Sequence, residues 1–514
     1  MSESSEDKNL KIPSSGGFAT NQFLRVFLFS VIVAIICILT TQESFTRPLT
    51  EYIVAFNKCY NFSGRECEGS HQEFPTYAIY RKSKSEHYLA HVIDLLHQMG
   101  YKRVDVGENW DLLWAHDYPF RKFSNQFKNL KDYKRINHIP GSGFLTYKVE
   151  LATSGLPFIP KAFKLPKDKE AFLQYSKMHQ EKLFVEKHNE HRHIAIRSSS
   201  EINLKSNSTF LQEFINDPYL VDGYKFDIGV YVIITSVDPL RVYLYKGDVL
   251  FRYCTIKYYP LKKEIVEKYV VGDDYLPTWD LPSLSYYFNE LKFSMKDSFD
   301  AYVRQHNHAP EIIWEQVEEM VRTTILFQYP KILESAKKYK SSKTFFELMR
   351  FDFIIDKNLR VYLMEANMSP NLSSAHFKMN SLLYKQILYS LLNLVGIGSP
   401  LKSRKRSSNQ NFITSYKNIV VEQEICANKI CRESCSLEQC EICAPCLTRE
   451  NFDAISTAYE EHIHKADTKR LFPKPIKNVG EFNLTEELKG MNARNRLMIR
   501  WFHGKCKTDV TWCI

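Results

Sequence analysis

FDFIIDKNLRVYLMEANMSP, residues 351–370, is the stretch on which the reading of the fold turns. Two apolar runs flank Lys357-Asn358, the pattern of a β-hairpin. Strand alternation puts Glu365 and Asn367 on the face of Leu363. With a tight turn at Lys357-Asn358, Asp352 stands opposite Leu363 and diagonal to Glu365, about 7–8 Å away between backbones. Two carboxylates can close that gap onto a shared cation, and hard oxygens suit Mg2+ bridging nucleotide phosphates. A solvated hairpin could carry the same acids. Here apolar residues crowd the rest of the hairpin, so converging carboxylates are costly unless a cation or base neutralises them.

The flanking sequence reads as α/β. PTYAIYRK (75–82) is a short strand, SEHYLAHVIDLLHQMG (85–100) a helix with Leu89, Val92, Ile93 and Leu96 on one face and Gly100 as its stop, and YKRVDVG (101–107) a second strand. A helix between strands of this length predicts a right-handed crossover. KFDIGVYVIITSV (225–237) is a long β-branched run, as in a strand buried on both faces; Lys225 and Asp227 share one of them. RVYLYKGDVLFRY (241–253) reads as a hairpin about Lys246-Gly247-Asp248. Residues 311–340 are predicted helical, with Ile312, Ile313, Val317, Met320 and Val321 at helical spacing.

Taken in order, these segments resemble the tubulin tyrosine ligase-like family, nearest its polyglutamylase branch, over roughly residues 75–400. RINHIPGSGFLTYKVEL (135–151) resembles its Asn-His-Pro-Gly segment and the phosphate-side lysine that follows, here Lys148. QEFINDPYLVDGYKFD (212–227) resembles its adenine hinge, here Gln212, Glu213, Phe214 and Ile215, and the KFD strand with Lys225 and Asp227. DPLRVYLYKGDVLFRY (238–253) resembles the strand pair ending in a nucleotide- or substrate-side arginine, Arg252. FELMRFDFIIDKNLRVYLMEANMSPNLS (346–373) resembles its metal-binding block. The resemblance implies an ATP-grasp ligase fold: two α/β lobes around a nucleotide cleft, with mixed and antiparallel sheets. It implies ATP and Mg2+ as cofactors, with Asp352, Glu365 and Asn367 on the metal. Lys187 and Arg192 would join the hinge, Lys148, Lys225 and Asp227 at the nucleotide. Lys225, Asp227 and Arg252 would serve the reaction. The partners it implies are tubulin, through its acidic tails, and free glutamate; no nucleic acid is expected.

Three positions depart from the family pattern. The KFD strand continues in the family with an apolar residue and then arginine, whereas this chain has Gly229. An arginine there would share the face of Lys225 and Asp227, so a fixed positive charge is missing. Arg192-His193 stands where the phosphate-covering loop carries Arg-Gly, and a histidine Cβ obstructs close approach of backbone amides to phosphate. The family's His-Leu-Thr-Asn segment is replaced by KYVVGDDYLPTWDLPSL (268–284). These departures set a rival reading beside the enzyme: a ligase-fold protein that binds nucleotide or a partner without efficient catalysis.

The remaining sequence bounds the setting. A 514-residue chain that is 44% hydrophobic is not a disordered protein, and its net charge of +10 favours an acidic partner. A polar tail (1–22) precedes an apolar stretch at 23–42, uncharged from Val26 onward, which is predicted to be a transmembrane signal anchor. Lys8, Lys11 and Arg25 precede the uncharged run, predicting a type II single-pass protein whose body faces the lumen; a tubulin substrate would demand the cytosolic side instead. Residues 43–74 read as a stalk and 401–425 as a basic linker. A Cys-rich region follows from 426 to 514, with Cys426, Cys431, Cys435, Cys440, Cys443, Cys446, Cys506 and Cys513. Grouped cysteines in even number favour disulfides over a zinc site, since the cluster lacks two regular CxxC knuckles.

Overall fold

A parallel sheet opens the structure, a computed structural model that describes residues 74–83, 85–188, 194–205, 209–341, 343–398 and 413–514. Its strands are β1 (Thr76–Tyr80), β2 (Lys102–Arg103), β3 (Leu112–Ala115) and β4 (Arg135–Ile136), in the order β2-β1-β3-β4. The crossover from β1 to β2 runs through the helix Ala90–Gln98, which buries Val92, Leu95 and Leu96. It ends where Gly100 takes a positive φ of 80° that a side chain disfavours. The predicted βαβ unit is therefore present.

A second sheet is antiparallel: β5 (Ala162–Lys164), β6 (Leu183–His188), β7 (Ile194–Ser198) and β8 (Thr209–Glu213), ordered β5-β8-β6-β7. The third and largest contains β9 (Phe226–Val237), β10 (Leu240–Tyr245), β11 (Leu250–Tyr253), β12 (Glu347–Ile355), β13 (Val361–Met368) and β14 (Thr468–Phe472). Its path is β13-β12-β9-β10-β14, with β11 also on β9. β9 is buried along its whole length except at Asp227, as its β-branched run predicts, although its neighbours are antiparallel. Each fully buried Ile or Val there contributes about 1.5–3 kcal/mol. The helix Glu311–Ala336 packs on β9 and β13 and buries Ile313, Val317, Met320 and Val321, while Ile312 turns out to solvent.

Two expectations of local pairing are corrected. β10 and β11 do not form a hairpin: both pair with β9, β11 along Phe226–Gly229 and β10 along Val232–Val237. The twelve residues of β9 are long enough to seat both, and the outer edge of β10 is taken by β14. In the hairpin β12–β13, the register shifts between Asp352 and Phe353. Phe353 faces Leu363, yet Asp352 faces Glu365, so Met364 is an extra residue, a β-bulge. Glu365 and Asn367 thereby leave the face of Leu363 and join Arg350 and Asp352, their direct cross-strand partners.

The Cys-rich region is built into the same unit, which spans Phe74–Ile514. Disulfides join Cys426 to Cys443, Cys431 to Cys440, Cys435 to Cys446 and Cys506 to Cys513. No group of three or more His, Cys, Asp or Glu residues among the described residues is placed to hold a metal, so the cluster is a disulfide framework and not a zinc site. The expected single-pass membrane placement is also corrected: among the described residues no helix is long and apolar enough to cross a bilayer. The stretch 23–42 on which it rested, with the tail and most of the stalk, lies outside the described residues, as do residues 401–412 of the linker.

Candidate active site

The bulge in β13 and the burial of β12 bring four charged or polar side chains to one point. Asp352 is 3% exposed and receives both Arg350 Nε on Oδ1 (2.6 Å) and Arg350 Nη2 on Oδ2 (2.8 Å). Asn367 Nδ2 donates to Asp352 Oδ2 and to Glu365 Oε1, each at 3.1 Å. One amide nitrogen thus sits within hydrogen-bonding reach of both carboxylates. The three residues that the sequence groups as metal ligands are in mutual contact.

Basic groups surround them. Lys148 Nζ lies 2.7 Å from Glu365 Oε2. Arg252 grips Asp227 with two bonds of 2.8 Å and reaches Asp352 Oδ2 at 3.4 Å. Lys187 Nζ donates to Gln212 Oε1 at 2.8 Å, and Gln212 donates in turn to the carbonyl of Pro160. Burial lowers Lys187 to about 8; Glu365 opposes that shift, while Lys148 and Lys225 add to it. Lys225, just before β9, is itself buried.

The carboxylates are driven in opposite directions. Burial raises Asp352 above the ordinary carboxylate range, outweighing the charge and hydrogen bonds of Arg350. Burial also pushes Glu365 upward, but the charge and hydrogen bond of Lys148, with the Asn367 bond, hold it at about 2. A buried acid beside a half-buried one gains from a divalent cation, and two carboxylates with a side-chain amide form a hard-oxygen set that fits Mg2+.

Two cavities meet at this hairpin. One, of about 510 Å³, is lined by Lys148, Lys187, Gln212, Glu365 and Asn367, with Val149, Phe210 and Met364 on its apolar side. That mix of apolar wall and convergent cations is what a nucleotide needs. The second, of about 570 Å³, is lined by Arg252, Arg350, Tyr275, Asn371, His376 and Tyr384 among others. Asn367 and Met368 border both, so the β12–β13 hairpin forms a wall between the two.

Not every expected residue reaches this place. Of the hinge, Gln212 faces the first cavity. Glu213, which accepts from Tyr175 Oη and Lys182, lines a separate cavity with Ile215, and Phe214 packs with Val185 and Tyr258. The amides of Glu213 and Phe214 are already bonded to the carbonyls of Lys161 and Leu183. Arg192 and His193 lie outside the described residues. The segment Asn137-His138-Ile139-Pro140-Gly141 packs beside the hairpin, His138 Nε2 lying 3.1 Å from Ser369 Oγ. Fully buried His138 contacts Glu347 at 2.7 Å, and the Asn137 side chain bonds both backbone groups of Ala115. Sequence reasoning missed Arg350. Its signal was the alternation in Arg350-Phe351-Asp352, which repeats the basic-Phe-acid order of Lys225-Phe226-Asp227.

Comparison with known proteins agrees with this geometry. The model of the tubulin-tyrosine ligase family matches residues 125–407. Among curated relatives, the Caenorhabditis elegans protein named probable tubulin polyglutamylase ttll-15 is 38% identical over 440 residues, covering 83% of this chain and 84% of that protein. Tubulin polyglutamylase TTLL6 of Mus musculus is 27% identical over 59% of this chain and 38% of its own length. Tubulin monoglutamylase TTLL4 of Homo sapiens is 27% identical over 58% of this chain and 26% of its own length. The matched region contains the acidic hairpin, both arginines and all three lysines, and with likeness to one relative over most of both chains it places this protein in the tubulin-tyrosine ligase family.

Proposed function

We propose that this chain is an ATP-dependent ligase that joins glutamate to glutamate side chains of tubulin. The observation that carries the reading is the convergence of Asp352, Glu365 and Asn367 between a lysine-lined cavity and an arginine-lined one. Mg2+, when bound by those three residues, would screen charge on the nucleotide phosphates. Lys148 and Lys187 would hold the phosphates, and Gln212 would keep the Lys187 ammonium aimed into the cavity. Arg252, fixed by Asp227, would stabilise charge that develops as the phosphoryl group moves.

In the first step an acceptor carboxylate oxygen attacks the γ-phosphorus and ADP leaves, giving an acyl phosphate. In the second the amine of free glutamate attacks the acyl carbon, an isopeptide bond forms, and inorganic phosphate departs with the amine losing a proton. The test is incubation of the full chain with tubulin, glutamate and ATP, followed by mass spectrometry of tubulin tails and phosphate release. Glutamyl mass increments that require all components support the reading. Tubulin left unmodified by a chain that binds ATP would overturn it.

A further inference from the structure

We infer that Gly229 and Arg350 are a matched exchange, in which β12 supplies from position 350 the guanidinium that the family pattern carries at position 229 of β9. The inference rests on the ligase reading and deepens it by assigning Arg350 as the residue that positions Asp352.

Space makes the first argument. A Cβ added at Gly229 would lie 2.8 Å from Arg350 Cδ, 3.2 Å from its Nε and 3.3 Å from Asp352 Oδ1. The Arg350 side chain therefore runs through the volume that a residue at 229 would fill. It cannot swing aside cheaply, because both ends of its guanidinium edge are bonded to Asp352. With Arg350 held in this way, a side chain at 229 has no room unless the Arg350–Asp352 pair shifts.

Reach makes the second. Gly229 is the direct cross-strand partner of Asp352 on β9, and Arg350 stands two residues from Asp352 on β12. Side chains from these positions share a face, so an arginine from either can reach the same carboxylate. Only the strand of origin differs.

Electrostatics makes the third. Asp352 and Asp227 lie near one another with Glu365 close by, and Arg252 alone would have to balance both aspartates. Arg350, 8% exposed, supplies the second guanidinium. It leaves Asp352 with one oxygen held by Arg350 alone and the other shared among Arg350, Asn367 and Arg252. The charge that Gly229 removes from β9 is returned from β12, and the face keeps a paired, oriented carboxylate.

The test compares Mg2+-dependent ATP affinity by calorimetry, with thermal unfolding alongside, in the full chain and in Arg350→Gly, Arg350→Lys, Gly229→Arg and the double variant Gly229→Arg/Arg350→Gly. Loss of a residue that orients a metal ligand costs about 10- to 100-fold in affinity. Arg350→Gly should lose that much, and Arg350→Lys nearly as much, because an ammonium cannot make the paired bonds. Gly229→Arg should also lose affinity, through collision with Arg350. The double variant should regain most of the loss, a strongly non-additive result. Wild-type affinity in Arg350→Gly would overturn the exchange, as would a double variant that is unfolded, or folded but no better than the weaker single variant. If Arg350→Gly does not fold, the double variant decides alone. A wild-type chain that binds no Mg2+·ATP would instead defeat the ligase reading.

Discussion

Lys187 shows how a single residue ties burial to ligand binding. Its ammonium is held by Gln212 and lowered to about 8, chiefly by burial. A bound phosphate favours the charged form. Below pH 8 the lysine already carries its proton, whereas above it each binding event must take one up. ATP affinity should therefore fall as pH rises through about 8, approaching tenfold per unit, until the pKa of the bound state is reached. Lys187→Arg, charged throughout, should flatten that alkaline limb in titrations of the full chain. A wild-type profile with no decline above pH 8 would remove Lys187 from the phosphates.

At the scale of elements, the largest sheet is tied at β9 and β10 to a helix contributed from the Cys-rich region. Glu461, on the helix Arg449–Ile463, accepts from Arg241 Nε at 2.7 Å and Nη2 at 3.0 Å, and from Thr235 and Tyr243 at 3.0 Å. All of this is buried. Glu461→Ala would strand the Arg241 charge in the core, at a cost of about 3–5 kcal/mol. Denaturant unfolding should show that loss, and a change under about 1 kcal/mol would contradict the account. The pairing of β14 with β10 beside it was not legible beforehand, because Thr468–Phe472 is a short strand far along the chain from its partner. The β12–β13 hairpin was legible, since its apolar runs bracket polar turn residues. The bulge at Met364 was not: no glycine or proline marks it, and only the register reveals that Glu365 faces Asp352. The Gly229 gap was legible as a lost charge, yet its refilling by Arg350 depends on how closely β9 and β12 approach. The β10–β11 split was hidden for a similar reason. Turn residues at 246–248 announce a reversal without saying which strand lies alongside.

Across the whole molecule, the sheets place cations on one side of an acidic hairpin and arginines on the other, within a chain of net charge +10. Such a field concentrates an acidic acceptor, and it is screened over about 8 Å at physiological ionic strength. Raising salt should therefore raise KM for tubulin severalfold while leaving kcat nearly constant, in steady-state ligation assays. A KM indifferent to salt would argue that the acceptor is recognised without long-range charge. The described body, from Phe74 to Ile514, is one unit that contains both the sheets of the site and the disulfide framework.

The most direct measurement is electron paramagnetic resonance of Mn2+, standing in for Mg2+, titrated with ATP into the full chain and into Asp352→Asn and Glu365→Gln. The wild type is predicted to bind Mn2+·ATP in a single ordered environment, and each variant to lose about 10-fold or more in affinity; Glu365→Gln should keep the wild-type thermal unfolding profile, whereas Asp352→Asn, which leaves buried Arg350 without its carboxylate, should also unfold at a lower temperature. Equal affinity in all three proteins would contradict the claim that these side chains hold the metal beneath the nucleotide.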